Sequence, residues 1–204
     1  MMLETLRSLG HDALVLFAMV NAVGNLPIFA DLTSGMTRRE RHRVFRRAIG
    51  VAVSIVLVFA FLGSWMLRSV FQIDTAAVQV AGGILVFLVA ARGMLRGPRR
   101  SGVPDLSARD DLAVFPLGFP YLAGPGTILT TILLMQSGGS IVTAGAALLV
   151  YAAVLPVLHL APLIHRALGQ VGALVIARIL YIFIAAKAID FLLTGARAYL
   201  GAGT

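Results

Sequence analysis

Two apolar segments each contain a short stretch of glycine, proline and small polar residues that could bind a ligand through the backbone. The first stretch reads NAVGNLPI from residue 21, and the second reads PYLAGPGTI from residue 120. Proline deletes a helical hydrogen bond and clashes with the preceding turn, so we expect no regular helix through residues 124–126. A helix that restarts after such a break directs free N–H groups and its positive dipole end into the protein, which suits a carboxylate.

The predicted ligand-binding groups are therefore backbone amides at the two breaks and the polar side chains beside them. Asn21 and Asn25 are four residues apart and share one face of an intact helix, where they would either coordinate a substrate or ion, or bond a neighbouring helix. The backbone candidates are Gly24, Asn25, Gly124 and Gly126, and the hydroxyl candidates are Thr127 and Thr130. One break alone would indicate only helix packing, whereas two matched breaks favour a binding site.

One pair of opposite charges lies inside an apolar segment. Lys187 and Asp190 are three residues apart, so their side chains can reach each other on one face of a helix. A lone charge in hydrocarbon is costly, and intramembrane charges often have a function. Long side chains near a helix end can also extend to the membrane surface. We expect an intramembrane ion pair and leave open whether its role is structural or functional.

Enzyme chemistry has no support in the sequence. Cysteine is absent, and no zinc-protease, Walker or nucleophile-elbow motif is present. His159 and His165 are six residues apart, which does not place two metal ligands on one helical face. No apolar segment carries paired carboxylates. We therefore predict no enzyme activity, no catalytic residue, no metal site and no cofactor.

The composition indicates a membrane protein. Of the 204 residues, 59% are hydrophobic and only 13% are charged, whereas soluble domains are about 25% charged. Each apolar segment is near the ~20 residues that a helix needs to cross a bilayer; the six segments are residues 13–32, 48–66, 76–95, 112–135, 141–164 and 173–193. The predicted fold is an all-α integral membrane protein with six transmembrane helices, the first and fourth interrupted. Residues 81–83, an Ala-Gly-Gly stretch, predict close helix packing.

The arginines predict the orientation in the membrane. The first, third and fifth connections share one face and hold eleven arginines, which are Arg38, Arg39, Arg41, Arg43, Arg46, Arg47, Arg96, Arg99, Arg100, Arg109 and Arg166. The opposite face has only Arg7, Arg68 and Arg197. The positive-inside rule makes the first face cytoplasmic and places both termini outside. The net charge of +8 is then explained by topology, with anionic lipid headgroups as a further contact and no nucleic acid as partner.

The two halves of the chain resemble each other. Residues 90–92 read AAR and residues 185–187 read AAK, and the two breaks also occupy corresponding places. Three crossings per half would turn the second half upside down, which is the outline of an inverted repeat. We predict a first three-helix repeat at residues 1–95, a cytoplasmic loop at 96–111 and a second three-helix repeat at 112–204.

The sequence resembles the MarC family of bacterial inner-membrane proteins. The stretches that carry the resemblance are VNAVGNLPIF from residue 20, VAGGIL from 80, PLGFPYLAGPGTI from 116 and IARI from 176. The resemblance implies six helices and, for some members, transport of glycine, alanine and similar neutral amino acids. The family's motifs correspond here to Asn21, Gly24, Asn25, Pro27, Pro116, Pro120, Gly124, Pro125 and Gly126. The chain departs from the family at Ala22, where a proline is usual, and at Lys187 and Asp190, where uncharged residues are expected.

These observations predict a secondary transporter of small solutes, with neutral amino acids such as glycine and alanine as substrates. Substrate would bind near the midplane, where the broken helices cross, and the two halves would rock to give alternating access. A non-transporting scaffold or sensor and a channel are the alternatives. We place the chain in the bacterial cytoplasmic membrane, in contact with the lipid bilayer. The sequence leaves open a coupling ion, the direction of transport and a homo-oligomer.

Overall fold

The computed structural model describes residues 2–33, 35–96 and 112–201, and every regular element in these ranges is a helix. The helices are α1 (Met2–Val20), α2 (Leu26–Leu32), α3 (Arg38–Trp65), α4 (Thr75–Arg96), α5 (Pro125–Gly138), α6 (Ser140–His159) and α7 (Ala161–Gly201). A π-helical turn, Met66–Val70, extends α3. A second π-helical segment, Ala113–Leu122, precedes α5 and is itself interrupted at Phe115 and Phe119, whose backbone is extended. The all-α class predicted from the sequence is confirmed for the described residues.

Several helices suit a membrane by length and composition. Among the described residues, the spans Arg38–Val70, Thr75–Leu95 and Ile141–His159 are long and apolar enough to cross a bilayer. The pair Ala113–Leu122 and Pro125–Gln136, bent by 57°, would make a fourth span. The count of six crossings and the inverted repeat stay predictions. The predicted loop, apart from Arg96, lies outside the described residues.

Helix α3 begins ten residues before the predicted apolar segment. Its first turn carries a capping box, in which the Glu40 N–H donates to Thr37 Oγ1 at 3.3 Å and the Thr37 N–H donates to the Glu40 carboxylate at 2.8 Å. These bonds satisfy amides that a helix start leaves without partners. The arginine-rich stretch from Arg38 is consequently helical and not an irregular connection.

The predicted boundary between the last two segments is wrong. Helix α6 ends at His159, where the Leu160 N–H bonds the Pro156 carbonyl at 2.9 Å, and α7 begins at Ala161. Pro162 falls in the first turn of α7, where its missing N–H costs nothing. Helix α7 therefore starts well before residue 173, and Arg166 lies in it. A bend at Gly169, with φ 64°, divides α7 into a short and a long part.

Helices α4 and α7 pack against each other along most of their lengths, in opposite directions. A Cβ at Gly195 would lie 2.7 Å from the carbonyl oxygen of Ala76, near the start of α4. Gly93, near the end of α4, faces the ring of Tyr181. At Gly83 a Cβ would lie 2.8 Å from a carbonyl oxygen of α7. Small residues therefore let the two helices approach closely, as predicted for the Ala-Gly-Gly stretch.

Two groups of buried apolar residues hold the helices together. The larger group joins α1, α2, α3, α6 and the π-helical segment before α5; its largest side chains include Leu16, Phe29, Phe45, Leu117 and Tyr151. The smaller group joins α4, α5 and α7 to Met19 of α1 and includes Val86, Leu133 and Tyr181. The two helix breaks described below lie at the boundary between these groups.

Candidate functional site

A cavity of about 320 Å³ lies where the two broken helices meet. The first broken helix lines it with Met19, Val20, Asn21 and Asn25, and the second with Pro120, Tyr121, Gly124, Pro125 and Gly126. The remaining wall consists of Val86 and Val89 from α4 and Tyr181 and Ile184 from α7. The structure thus brings both predicted interruptions to one cavity.

The first interruption is a turn between α1 and α2. Asn21 adopts a left-handed conformation, with φ 49°, which asparagine tolerates better than most residues. Its N–H donates to the Phe17 carbonyl at 3.2 Å, and the Asn25 N–H donates to the Asn21 carbonyl at 3.1 Å. The prediction that the Asn25 backbone supplies a free donor is therefore wrong, because the turn already uses that N–H.

Gly24 has a steric role at this turn. A Cβ at Gly24 would lie 2.8 Å from Asn21 Cγ and would overlap the side-chain oxygen Oδ1 of Asn21. Gly24 is not part of the cavity wall, so it makes room for the Asn21 side chain and does not itself face a ligand. Pro27 falls in the first turn of α2, where a proline is compatible with helix.

The second interruption leaves free amides. Ala123 and Gly124 separate the π-helical segment from α5, and Gly124 is extended, with φ −78° and ψ 171°. The first bond within the new helix runs from the Ile128 N–H to the Gly124 carbonyl at 3.0 Å. The N–H groups of Gly126 and Thr127 precede this bond, so helix geometry gives them no acceptor within α5. The positive end of the α5 dipole therefore lies beside the cavity.

Asn21, at the first break, has a side-chain acceptor without a donor. The residue is 5% exposed, and its Oδ1 is buried without a hydrogen-bond donor among the described residues. Such a group costs free energy unless a ligand or water bonds it. Asn25 is also buried, at 8% exposed. The cavity is therefore lined at one break by the start of α5, whose first amides have no acceptor within the helix, and at the other by Asn21, whose Oδ1 is buried against Gly24 and has no donor among the described residues.

The two predicted threonines lie behind the cavity. Thr127 and Thr130 are buried, and neither belongs to the cavity wall. Their hydroxyl oxygens have no partner among the described residues. The Thr127 carbonyl accepts a bond from the Thr131 hydroxyl at 2.7 Å. Of these two residues, Thr127 alone contributes a group at the start of α5, and that group is its backbone N–H and not the predicted hydroxyl.

Sequence reasoning missed the two tyrosines of the cavity wall. Tyr121 packs edge to face against Phe29 of α2, with ring centroids 6.1 Å apart, and so connects the two broken helices. Tyr181 comes from α7 and is 8% exposed. The sequence could have indicated them, because each is a tyrosine inside an apolar segment. The hydroxyl of a buried tyrosine usually has a hydrogen-bond partner.

The predicted charge pair forms away from the cavity. Lys187 Nζ donates to Asp190 Oδ2 at 2.6 Å and lies 4.9 Å above the ring of Phe191. Neither charged residue belongs to the cavity wall. The pair consequently has no direct contact with the candidate site.

The arginine-rich start of α3 borders a separate, open cavity of about 1010 Å³. The residues that line it are Arg38, Arg39, His42, Arg43, Arg46 and Arg47. His159, considered above as a metal ligand, stacks on His42 with ring centroids 3.9 Å apart, and its Nδ1 lies 2.7 Å from the Leu155 carbonyl oxygen. This basic surface is distinct from the cavity between the broken helices.

The apolar outer surface defines the class of protein. Large side chains such as Phe61, Leu88 and Leu149 are exposed along helices that are long enough to span a bilayer. An all-helical chain with this surface is an integral membrane protein.

The chain belongs to the MarC family of integral membrane proteins, whose sequence profile matches residues 6–200. A UPF0056 membrane protein of Archaeoglobus fulgidus is 36% identical over 189 residues, covering 88% of each chain. The UPF0056 membrane protein YvbG of Bacillus subtilis is 32% identical and covers 91% of this chain and 92% of its own. YhcE of Escherichia coli, also named a UPF0056 membrane protein, is 32% identical over 88% of this chain and 87% of its own. No solved structure matches the chain.

Proposed function

We propose that this protein is a secondary transporter of small neutral amino acids and that the cavity between the broken helices binds the substrate. The observation that carries the proposal is one cavity lined both by the start of α5, whose first amides have no acceptor within the helix, and by Asn21, whose buried Oδ1 has no donor among the described residues. A zwitterion needs both kinds of group, because its carboxylate accepts hydrogen bonds and its ammonium group donates them.

The carboxylate would bind at the start of α5. The free N–H groups of Gly126 and Thr127 and the helix dipole both favour a negative charge there. Half-helix N-termini that point at anionic substrate groups are a recurring device in secondary transporters. Pro125 occupies the first position of α5, so its missing N–H removes no donor that the helix needs.

The ammonium group would bind at the first interruption, with Asn21 Oδ1 as acceptor. The rest of the wall, including Val86, Val89 and Ile184, is apolar and would contact the substrate side chain. A volume of about 320 Å³ is at the small end of ligand cavities. We propose glycine and alanine, which fit within this volume, as substrates.

Alternating access would follow from the two halves of the chain. In our proposal, residues 1–95 and 112–204 are inverted three-helix repeats, the arginine-rich connections are cytoplasmic and both termini are outside the bacterial cytoplasmic membrane. The matched interruptions at residues 21–27 and 120–126 and the bias in arginine placement support this arrangement. Rocking of one repeat against the other would expose the cavity to each side in turn.

The test is uptake of labelled alanine or glycine into liposomes that contain the pure protein. Gly126→Val is the informative variant, because a Cβ at Gly126 would lie 3.3 Å from a methyl of Val86, a side-chain neighbour that can adjust, and further atoms would fill the cavity. Gly50→Val is the matched control, since a Cβ at Gly50 meets nothing within 4 Å. Gly124 is unsuitable, because its Cβ would lie 2.7 Å from the backbone carbonyl oxygen of Pro120.

We expect saturable uptake by the wild type and by Gly50→Val, and no uptake by Gly126→Val at unchanged melting temperature. Absence of saturable flux across a panel of small amino acids would overturn the proposal. Flux that does not saturate and ignores ion gradients would indicate a channel instead.

A further inference from the structure

The ion pair between Lys187 and Asp190 lies level with the middle of α4. Gly83, nine residues into α4, packs directly against the backbone of Ala188 and Leu192, which flank Asp190. Because Thr75–Leu95 is long and apolar enough to cross a bilayer by itself, its middle falls in the hydrocarbon. The antiparallel packing of α4 and α7 therefore sets the pair deep in the membrane.

Neither charge can readily reach the membrane surface from this depth. Gly195 packs beside Ala76 at the start of α4 and lies five residues from Asp190, which is about 7–8 Å along a helix. An aspartate side chain is too short to cover that distance. Lys187 is three residues, or about 4–5 Å, farther from the start of α4 than Asp190 is, at the middle of the α4–α7 pair.

The pair also faces outward. The side chain of Asp190 is 59% exposed and that of Lys187 is 32% exposed. Within the described residues, the two make a single hydrogen bond to each other, so one carboxylate oxygen and two ammonium protons have no hydrogen-bond partner. A charge at the bilayer centre is costly. Internal pairing offsets only part of that cost while the groups remain in contact with lipid.

We propose that this outward face of α7, defined by Phe183, Ala186, Lys187, Asp190 and Leu193, is the interface between two copies of this chain in the membrane. Residues 183, 187 and 190, and residues 186, 190 and 193, follow one another at three or four positions, so the five residues form one stripe along the helix. All but Lys187 are exposed. A second copy removes the charged pair from lipid and covers the apolar side chains around it.

The stripe is complementary to itself. In a two-fold symmetric dimer, residue i of one copy meets residue j of the other, and j meets i. Lys187 of each copy then contacts Asp190 of its partner as well as its own Asp190, which joins four charges in one neutral network. Such a network satisfies the atoms that a single copy leaves without partners.

Disulfide crosslinking in liposomes tests the interface, and the cysteine-free chain provides a clean background. Ala186→Cys places a thiol at the centre of the stripe with little change in volume. Leu149→Cys is the matched control, because Leu149 is 54% exposed at the middle of α6, outside the stripe. We expect about tenfold more oxidised dimer from Ala186→Cys than from Leu149→Cys at equal protein-to-lipid ratio. Equal yields of oxidised dimer from the two cysteine variants, together with a single photobleaching step for the labelled wild type, would indicate a monomer and overturn the proposal.

The charges themselves are tested in the Ala186→Cys background. Lys187→Asp leaves two acids on each copy, and Asp190→Lys leaves two bases, so each variant alone should form about tenfold less dimer. Mixing the two variants should restore crosslinking, since an acidic stripe then meets a basic one. Unchanged crosslinking in each single variant would contradict the proposed network. Failure of the mixed variants to recover crosslinking would also contradict it, provided that their melting temperatures match that of the parent.

Discussion

The hydroxyl of Tyr151 donates a hydrogen bond to the carbonyl oxygen of Leu122 across 2.9 Å. This bond connects α6 to the residue at which the second broken helix is interrupted. Both residues are buried, at 2% and 0% exposed. Irregular backbone at membrane depth persists only where the protein or water satisfies its polar groups, so Tyr151 stabilises the break that exposes the α5 amides.

Replacing Tyr151 with phenylalanine should therefore destabilise the protein. The change leaves the Leu122 carbonyl buried without its donor, which costs about 1–3 kcal/mol. Thermal unfolding in detergent measures the loss. Tyr199→Phe serves as control, because Tyr199 is 64% exposed. This variant should unfold at the wild-type temperature. Equal melting of the two variants would show that the bond contributes nothing.

Substitutions at Asn21 should separate its backbone role from its side-chain role. Valine disfavours the left-handed conformation at φ 49° and should cost about 1–2 kcal/mol of unfolding free energy. Glycine accepts that conformation but removes Oδ1, so Asn21→Gly should fold normally and raise the KM for alanine about tenfold. Melting temperatures and concentration-dependent uptake distinguish the two effects. Wild-type KM in Asn21→Gly would exclude Oδ1 as a substrate acceptor.

Two adjacent glycines of α4 should respond differently to alanine. A Cβ at Gly83 would lie 2.8 Å from the carbonyl oxygen of Ala188, a backbone atom that cannot rotate away. A Cβ at Gly82 would meet only the end of the Leu129 side chain, which has other rotamers. We expect Gly83→Ala to lose about 1–3 kcal/mol and Gly82→Ala clearly less. The reverse order in thermal unfolding would contradict the close α4–α7 packing.

The proposed orientation predicts which introduced cysteines are accessible from each side. Cysteines at Arg7 and Arg197 should react with a membrane-impermeant maleimide added to intact cells, and a cysteine at Arg39 should react only after the membrane is opened. The reason is the excess of arginine on the proposed cytoplasmic face. Labelling of position 39 in intact cells would reverse the topology.

The amino-acid sequence by itself determined the membrane environment, the all-helical class and the positions of both helix interruptions. These properties are local, because apolar runs and the geometry of proline and glycine act over a few residues. Thus Pro125 and Gly126 identify the second break without any knowledge of the rest of the fold. The same local information placed Lys187 and Asp190 within reach of each other, three residues apart on one helix.

Only the tertiary structure decided which groups face the cavity. Both breaks contain similar residues, but the left-handed turn at Asn21 uses the Asn25 N–H, whereas the start of α5 leaves the N–H groups of Gly126 and Thr127 without an acceptor within the helix. Tyr181 reaches the cavity and Thr130 does not. These differences arise from the packing of helices that are distant in sequence, and no residue's own backbone preference specifies which neighbour it meets.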